Sequence, residues 1–131
     1  MICDFIMKEQ HPSYYAFIKE GETTLGEYWE SNPRSHCHDM MGHIIEWYYN
    51  GIAGILPEAP RFSKVRISPF LPENMDHFSC RFRSKSGEIG VSVQNGQEEI
   101  LVKIQIPKEV EYRVDLSGLE KRGKKIKVTE Q

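Results

Sequence analysis

At Leu56-Pro57-Glu58-Ala59-Pro60 the apolar residues of this chain change period. From Tyr14 to Ile55 they recur at helical spacing, and from Lys64 onward they alternate with polar residues. No helix continues across this stretch, because each proline removes a donor and disfavours helical geometry in the residue before it. The chain therefore divides into a helical part, residues 1–56, and a β part, residues 57–131. With 131 residues in all, it has room for one ordinary domain, or a small domain with an appendage.

The helical part reads as three helices. His11-Pro12-Ser13 opens the first, with Pro12 in the first turn, an apolar face of Tyr14, Phe17 and Ile18, and Gly21 as its stop. A second is expected to start near Thr23-Thr24, carry Leu25, Tyr28 and Trp29, and end at Ser31-Asn32-Pro33. The third is capped by Asp39 and buries a stripe of Met40, Met41, Ile44, Ile45 and Tyr48. Together these faces hold more aromatic surface than three helices bury among themselves. Some of it must pack on the sheet, on a second copy or on a missing domain.

The β part shows about six alternating runs: Lys64–Ser68, then those centred on Cys80, Val91, Val102, Val114 and Ile126. Ser86-Gly87, Asn95-Gly96 and Ser117-Gly118 lie between runs as turn signals, Asn95-Gly96 being the sharpest hairpin signal. An antiparallel β-sandwich follows, so the fold class is α+β, helices first and sandwich second.

Charge and composition exclude several functions. A net charge of −2 argues against a broad nucleic-acid surface, and the run Lys121, Arg122, Lys124, Lys125, Lys127 reads as a solvated turn and strand. Residues 1–7 are too short an apolar stretch for a membrane span or a secretion signal, which leaves a cytoplasmic location as the default. Cys3, Cys37 and Cys80, an odd set with wide spacing, are read as reduced thiols. His36, Cys37, His38 and His43 lack the spacing of a standard zinc motif, so neither a metal nor any other cofactor is expected.

Chemistry concentrates in residues 11–55, where Glu27, Glu30, Asp39, Glu46 and the histidines lie among aromatic rings. Rings stack on the apolar faces of pyranoses, while carboxylates bind hydroxyls or move protons. Glu27 follows Thr24 by three residues, which is also the spacing of a capping box.

Four runs narrow this reading: His11-Pro12-Ser13-Tyr14; Gly21-Glu22-Thr23-Thr24-Leu25-Gly26-Glu27-Tyr28-Trp29; His38-Asp39-Met40-Met41-Gly42-His43-Ile44-Ile45-Glu46-Trp47-Tyr48-Tyr49; and Gly51-Ile52-Ala53-Gly54-Ile55. In order and spacing they resemble successive motifs of the bacterial α-L-rhamnosidases. The resemblance implies that the helices are the last of an (α/α)6 barrel, followed by a C-terminal β-sandwich. It also implies hydrolysis of terminal α-L-rhamnosides with inversion, with Glu27 as general base and His38, Trp29 and Tyr14 around the sugar. The family's general acid lies on an Asp/Glu-rich loop far upstream, so the matching site is incomplete. Gly26, Cys37 and Asp39 depart from the family's usual tryptophan, asparagine and histidine at those places.

The implied partners are a rhamnose-containing glycoside and either the upstream barrel or a second copy of the chain, with no nucleic acid and no membrane. Taken alone, the chain is expected to be inactive. A non-catalytic sugar-binding or assembly module is the other reading.

Overall fold

The computed structural model describes residues 2–30 and 34–131. They form two compact units that divide between Ile45 and Glu46. The fold is α+β, with short helices first and mostly antiparallel sheets after them, as the change of period predicts.

In the first unit, α1 (Ile2–Ile6) and α2 (Tyr14–Lys19) are joined through Ser13. Ser13 is fully buried and caps α2, accepting the Tyr15 N–H at 3.2 Å while its hydroxyl donates to the Ile6 carbonyl at 2.8 Å. Pro12 therefore lies ahead of the cap rather than in the first turn. Of the predicted face, Phe17 is buried and Ile18 is 67% exposed; Gly21 adopts a φ of +82° just past the helix.

The second predicted helix does not form. Residues 22–30 are irregular, and their expected stop at 31–33 lies outside the described residues. Here backbone donors and acceptors pair across a loop instead of along a helix. The Glu27 N–H donates to the Ser35 carbonyl at 3.0 Å, and the His38 N–H to the Leu25 carbonyl at 2.8 Å. Glycines at 21 and 26 and β-branched Thr23 and Thr24 make a helix here weak, and these cross-loop bonds satisfy the backbone in its place.

The third helix is broken into pieces: a 3₁₀ turn at Asp39–Met41, then α3 (Ile44–Trp47), which widens into a π-helical turn at Tyr48–Ile52. Asp39 is the first residue of the 3₁₀ turn, and His38 holds the cap position without a side-chain bond. The predicted stripe is only partly buried. Met41 is inside, but Met40 is 60% and Ile45 57% exposed.

The second unit contains seven strands. β1 (Ile55–Pro57), β2 (Lys64–Ile67) and β6 (Glu111–Val114) form one sheet in the order β1-β2-β6. β3 (His77–Ser84), β4 (Gly87–Asn95), β5 (Glu99–Gln105) and β7 (Lys125–Glu130) form the other, in that order. The hairpins at Ser86-Gly87 and Asn95-Gly96 close as predicted. Two pairs, β2 with β6 and β5 with β7, are instead parallel. The third turn signal, Ser117-Gly118, opens a short helix, α4 (Ser117–Glu120), that leads the chain from β6 of one sheet to β7 of the other. A parallel neighbour needs a crossover rather than a tight turn, so local turn signals do not reveal it.

Alternation along the strands sends one set of side chains into a shared core. Val65 and Ile67 from the first sheet meet Ile89, Val91, Val93, Ile100, Val102 and Ile104 from the second, with Leu71, Val110 and Leu119 closing the edges. Burying a side chain of this size contributes about 1.5–3 kcal/mol, so this cluster dominates the stability of the unit.

The chain enters the sheet through Gly54, whose φ is +66°. Its carbonyl accepts the Ser68 N–H at 2.9 Å, and a Cβ on Gly54 would overlap the Ser68 carbonyl group. Across the first sheet, Arg113 on β6 makes a bidentate pair with Glu58, with Nε 2.9 and 3.1 Å from the two carboxylate oxygens. That guanidinium holds the Glu58 carboxyl below its ordinary range.

Gly54→Ala should cost about 3 kcal/mol, since it adds both strain and overlap. Gly123→Ala, with φ +65° but open space around it, should cost nearer 1 kcal/mol. Urea unfolding of both variants checks the difference. A folded carboxyl pKa below the unfolded one means that the Glu58 contribution is present above the unfolded value, about 4, and fades as pH falls through the folded value. Glu58→Gln should therefore lower the melting temperature at neutral pH and change it little at low pH, so that the acid side of the melting-temperature profile flattens.

Candidate functional site

Trp29 is the centre of an aromatic cluster in the first unit. Its ring stands edge-on to Tyr14 at 5.1 Å and to Phe5 at 5.3 Å, and stacks on Phe17 at 6.0 Å with 25° between planes. His11 adds an edge contact to Phe17 at 4.9 Å. Helical spacing on α1 and α2 accounts for Phe5, Tyr14 and Phe17, while Trp29 arrives from the irregular segment. The Tyr14 hydroxyl donates to the Met41 carbonyl at 2.8 Å, which ties α2 to the 3₁₀ turn. Edge-on ring pairs of this kind contribute about 0.5–1.5 kcal/mol beyond their burial.

Glu27 and His38 meet differently. The two cross-loop bonds join Leu25 and Glu27 to Ser35 and His38, so the carboxylate and the imidazole are carried by one paired loop. The Thr24 hydroxyl donates to the His36 carbonyl and adds a third tie. Thr24 is therefore engaged across the loop, and the capping-box geometry is absent because no helix starts there. Glu27 keeps 21% of its side chain exposed, with the Arg34 guanidinium 3.7 Å away. Arg34 also donates to the Tyr28 hydroxyl at 3.0 Å, which places a cation at the open side of the carboxylate.

The other polar candidates are spoken for locally. His36 lies 3.2 Å from Glu22, the His43 ring lies 3.2 Å from the Met40 carbonyl, and Glu46 accepts from Asn50 at 3.1 Å. Cys37 is an exposed free thiol. Among the described residues, no three His, Cys, Asp or Glu side chains gather closely enough to hold a metal ion. None of the described helices is long and apolar enough to cross a membrane.

The structure thus brings Tyr14 and Trp29 together by ring contact, and Glu27 and His38 together by backbone pairing. Sequence reasoning missed Phe5 and Arg34. Ile2, Phe5 and Ile6 do repeat at helical spacing, a signal too short to stand out in seven residues. Arg34 carried no signal at all, since its position depends on a loop whose path only the folded chain defines.

Comparison with known proteins agrees with this architecture. Residues 1–52 match the model of the bacterial alpha-L-rhamnosidase 6 hairpin glycosidase domain, and residues 51–130 match that of the bacterial alpha-L-rhamnosidase C-terminal domain. The chain belongs to the bacterial α-L-rhamnosidase family. Among curated proteins it is 32% identical over 117 residues to an alpha-L-rhamnosidase of an Alteromonas species, covering 82% of this chain and 13% of that protein. Among solved structures it superposes on the alpha-L-rhamnosidase of Dictyoglumus thermophilum with a TM-score of 0.76 and 28% identity, over 83% of this chain and 13% of that one. A Streptomyces avermitilis alpha-L-rhamnosidase, solved with L-rhamnose, gives 0.77 and 25%, over 84% and 12%. The chain therefore corresponds to the C-terminal part of these rhamnosidases and spans about an eighth of their length.

Phe5→Ala should open one side of the Trp29 cluster and cost about 2–3 kcal/mol, at or below the low end for an aromatic truncation because Phe5 is only half-buried. In a Trp47→Phe background, a red shift of the remaining tryptophan emission reports the loss.

Proposed function

We propose that this chain supplies the water-activating side of an inverting α-L-rhamnosidase site, with Glu27 as general base and His38, Trp29 and Tyr14 shaping the rhamnose pocket. Residues 1–56 then form the end of the catalytic barrel and residues 57–131 the sandwich that follows it. The observation that carries this reading is the paired loop, which holds a partly exposed Glu27 carboxylate and His38 on one hydrogen-bonded support next in sequence to the Trp29 cluster. A base must be reachable by water and fixed in direction, and a partly exposed carboxylate on a pinned loop meets these two needs.

In the reaction, a protonated carboxylic acid from the remainder of the barrel gives its proton to the glycosidic oxygen as the bond to the anomeric carbon breaks. Glu27 takes a proton from water while that water's oxygen bonds to the same carbon from the opposite face. Rhamnose leaves with inverted configuration, and the aglycone leaves as its alcohol. This geometry needs about 6.5–9.5 Å between the two carboxyl groups.

The isolated chain is then inactive, because without an acid the poor leaving group stays unprotonated and the open half-site does not position water. A second reading, an assembly module, is favoured by the exposed apolar side chains of Ile18, Tyr28, Met40 and Ile45. Both readings call for a partner surface, and only the first calls for Glu27.

Purified chain should not hydrolyse an aryl α-L-rhamnoside. Mixed with a polypeptide carrying the upstream barrel of a rhamnosidase relative, it should restore turnover. Glu27→Gln should lower that restored rate by about 10²–10⁴-fold. Turnover by the chain alone that vanishes in Glu27→Gln would refute the inactivity; complementation indifferent to Glu27 would leave the assembly reading standing.

A further inference from the structure

We propose that the outward face of the four-stranded sheet binds a carboxylate-bearing polysaccharide. The register places Ser79 beside Ser92, Ser92 beside Lys103 and Lys103 beside Thr129, one polar row crossing all four strands. A second row runs Arg81, Gly90, Gln105, and a third His77, Gln94, Leu101, Lys127. Because Phe78, Cys80, Val91, Val93, Val102 and Ile104 point to the core, these rows stand on the opposite surface.

This face is not flat. Gly90 and the two serines lower its middle, leaving adjoining hollows of about 180 and 370 Å³ that share Ser79, Ser92 and Lys103. Gly90 is buried beneath Gln105, whose Cβ would lie 3.3 Å from a Cβ at position 90. Any larger residue there would fill the trough.

Its charge is opposite to that of the chain. Arg81, Arg83, Lys103, Lys125 and Lys127 set five cations against Glu88 and Glu99, while the whole chain carries −2. The nearest compensating contact is loose, Arg81 Nε to Glu88 at 3.9 Å, with Arg81 74% exposed. Part of the basic run that looks like a solvated strand in sequence is thus added, through the parallel β5–β7 pair, to cations from β3 and β5.

An anion-bearing polymer is the partner that such a face complements. Nucleic acid fits poorly, because no phenylalanine, tyrosine or tryptophan projects from these rows as a stacking platform for bases. Serine hydroxyls and glutamine amides between the cations match a polymer whose hydroxyls alternate with carboxylates. The choice of a glycan over other polyanions rests on the rhamnosidase reading; the binding itself does not, and it is measured without turnover.

The test is affinity electrophoresis and calorimetry of the intact chain with polygalacturonate, with dextran as the uncharged comparison and single-stranded DNA as the alternative polyanion. Polygalacturonate should be bound and dextran not, with the affinity falling at least about tenfold between about 50 and 200 mM salt. The double variant Arg81→Glu/Lys103→Glu should lose at least about tenfold in affinity, whereas Lys108→Glu/Lys121→Glu, the same charge change away from the trough, should stay within about twofold. If the charge reversal unfolds the protein, Arg81→Gln/Lys103→Gln keeps the shape and should still weaken binding severalfold. Equal loss in both double variants, no binding at low salt, or DNA bound as tightly as polygalacturonate would each overturn the proposal.

Discussion

The close approach of Gly54 to Ser68 governs how the β unit begins. With its carbonyl bonded to the Ser68 N–H and its φ in the left-handed region, Gly54 turns the chain out of the π-helical turn and lays Ile55–Pro57 antiparallel to Lys64–Ile67. That register sends Ile55, Val65 and Ile67 inward to meet the second sheet. The parallel β2–β6 pair and the Arg113 pair with Glu58 then build outward from β2. Nothing larger than glycine fits at the point of entry, because Ser68 occupies the space a side chain would need.

The first unit is organised by different forces. Its helices are too short to be stable by propensity alone, and what holds them is the Ser13 bridge, the Trp29 ring cluster and the cross-loop bonds around Glu27 and His38. Exposed Ile18, Met40 and Ile45 belong to the segment, residues 1–52, that matches the 6 hairpin glycosidase domain of the rhamnosidase family. The Glu27 backbone on this support is held by local pairing with Ser35 rather than by a helix.

The candidate site was partly legible. Motif order pointed to Tyr14, Glu27, Trp29 and His38, and the folded chain places Tyr14 against Trp29 and joins the loop of Glu27 to that of His38. The support was misread: Leu25, Tyr28 and Trp29 have helical spacing, yet the segment is a loop. Spacing alone cannot weigh a helix against cross-loop bonds to Ser35 and His38, because those partners are about ten residues away and irregular themselves. The Thr24–Glu27 spacing failed as a capping box for the same reason.

By itself, the sequence determined the class of fold, the family and the two sharp hairpins, since period, motif order and turn chemistry are all local properties. The tertiary structure decided what joins over distance: the parallel strands β6 and β7, the breaks in the third helix, Phe5 against Trp29, Arg34 beside Glu27, and the basic run brought into line with Arg81 and Lys103. These depend on which distant groups satisfy one another's hydrogen bonds and exclude water together, a choice made only when the whole chain packs.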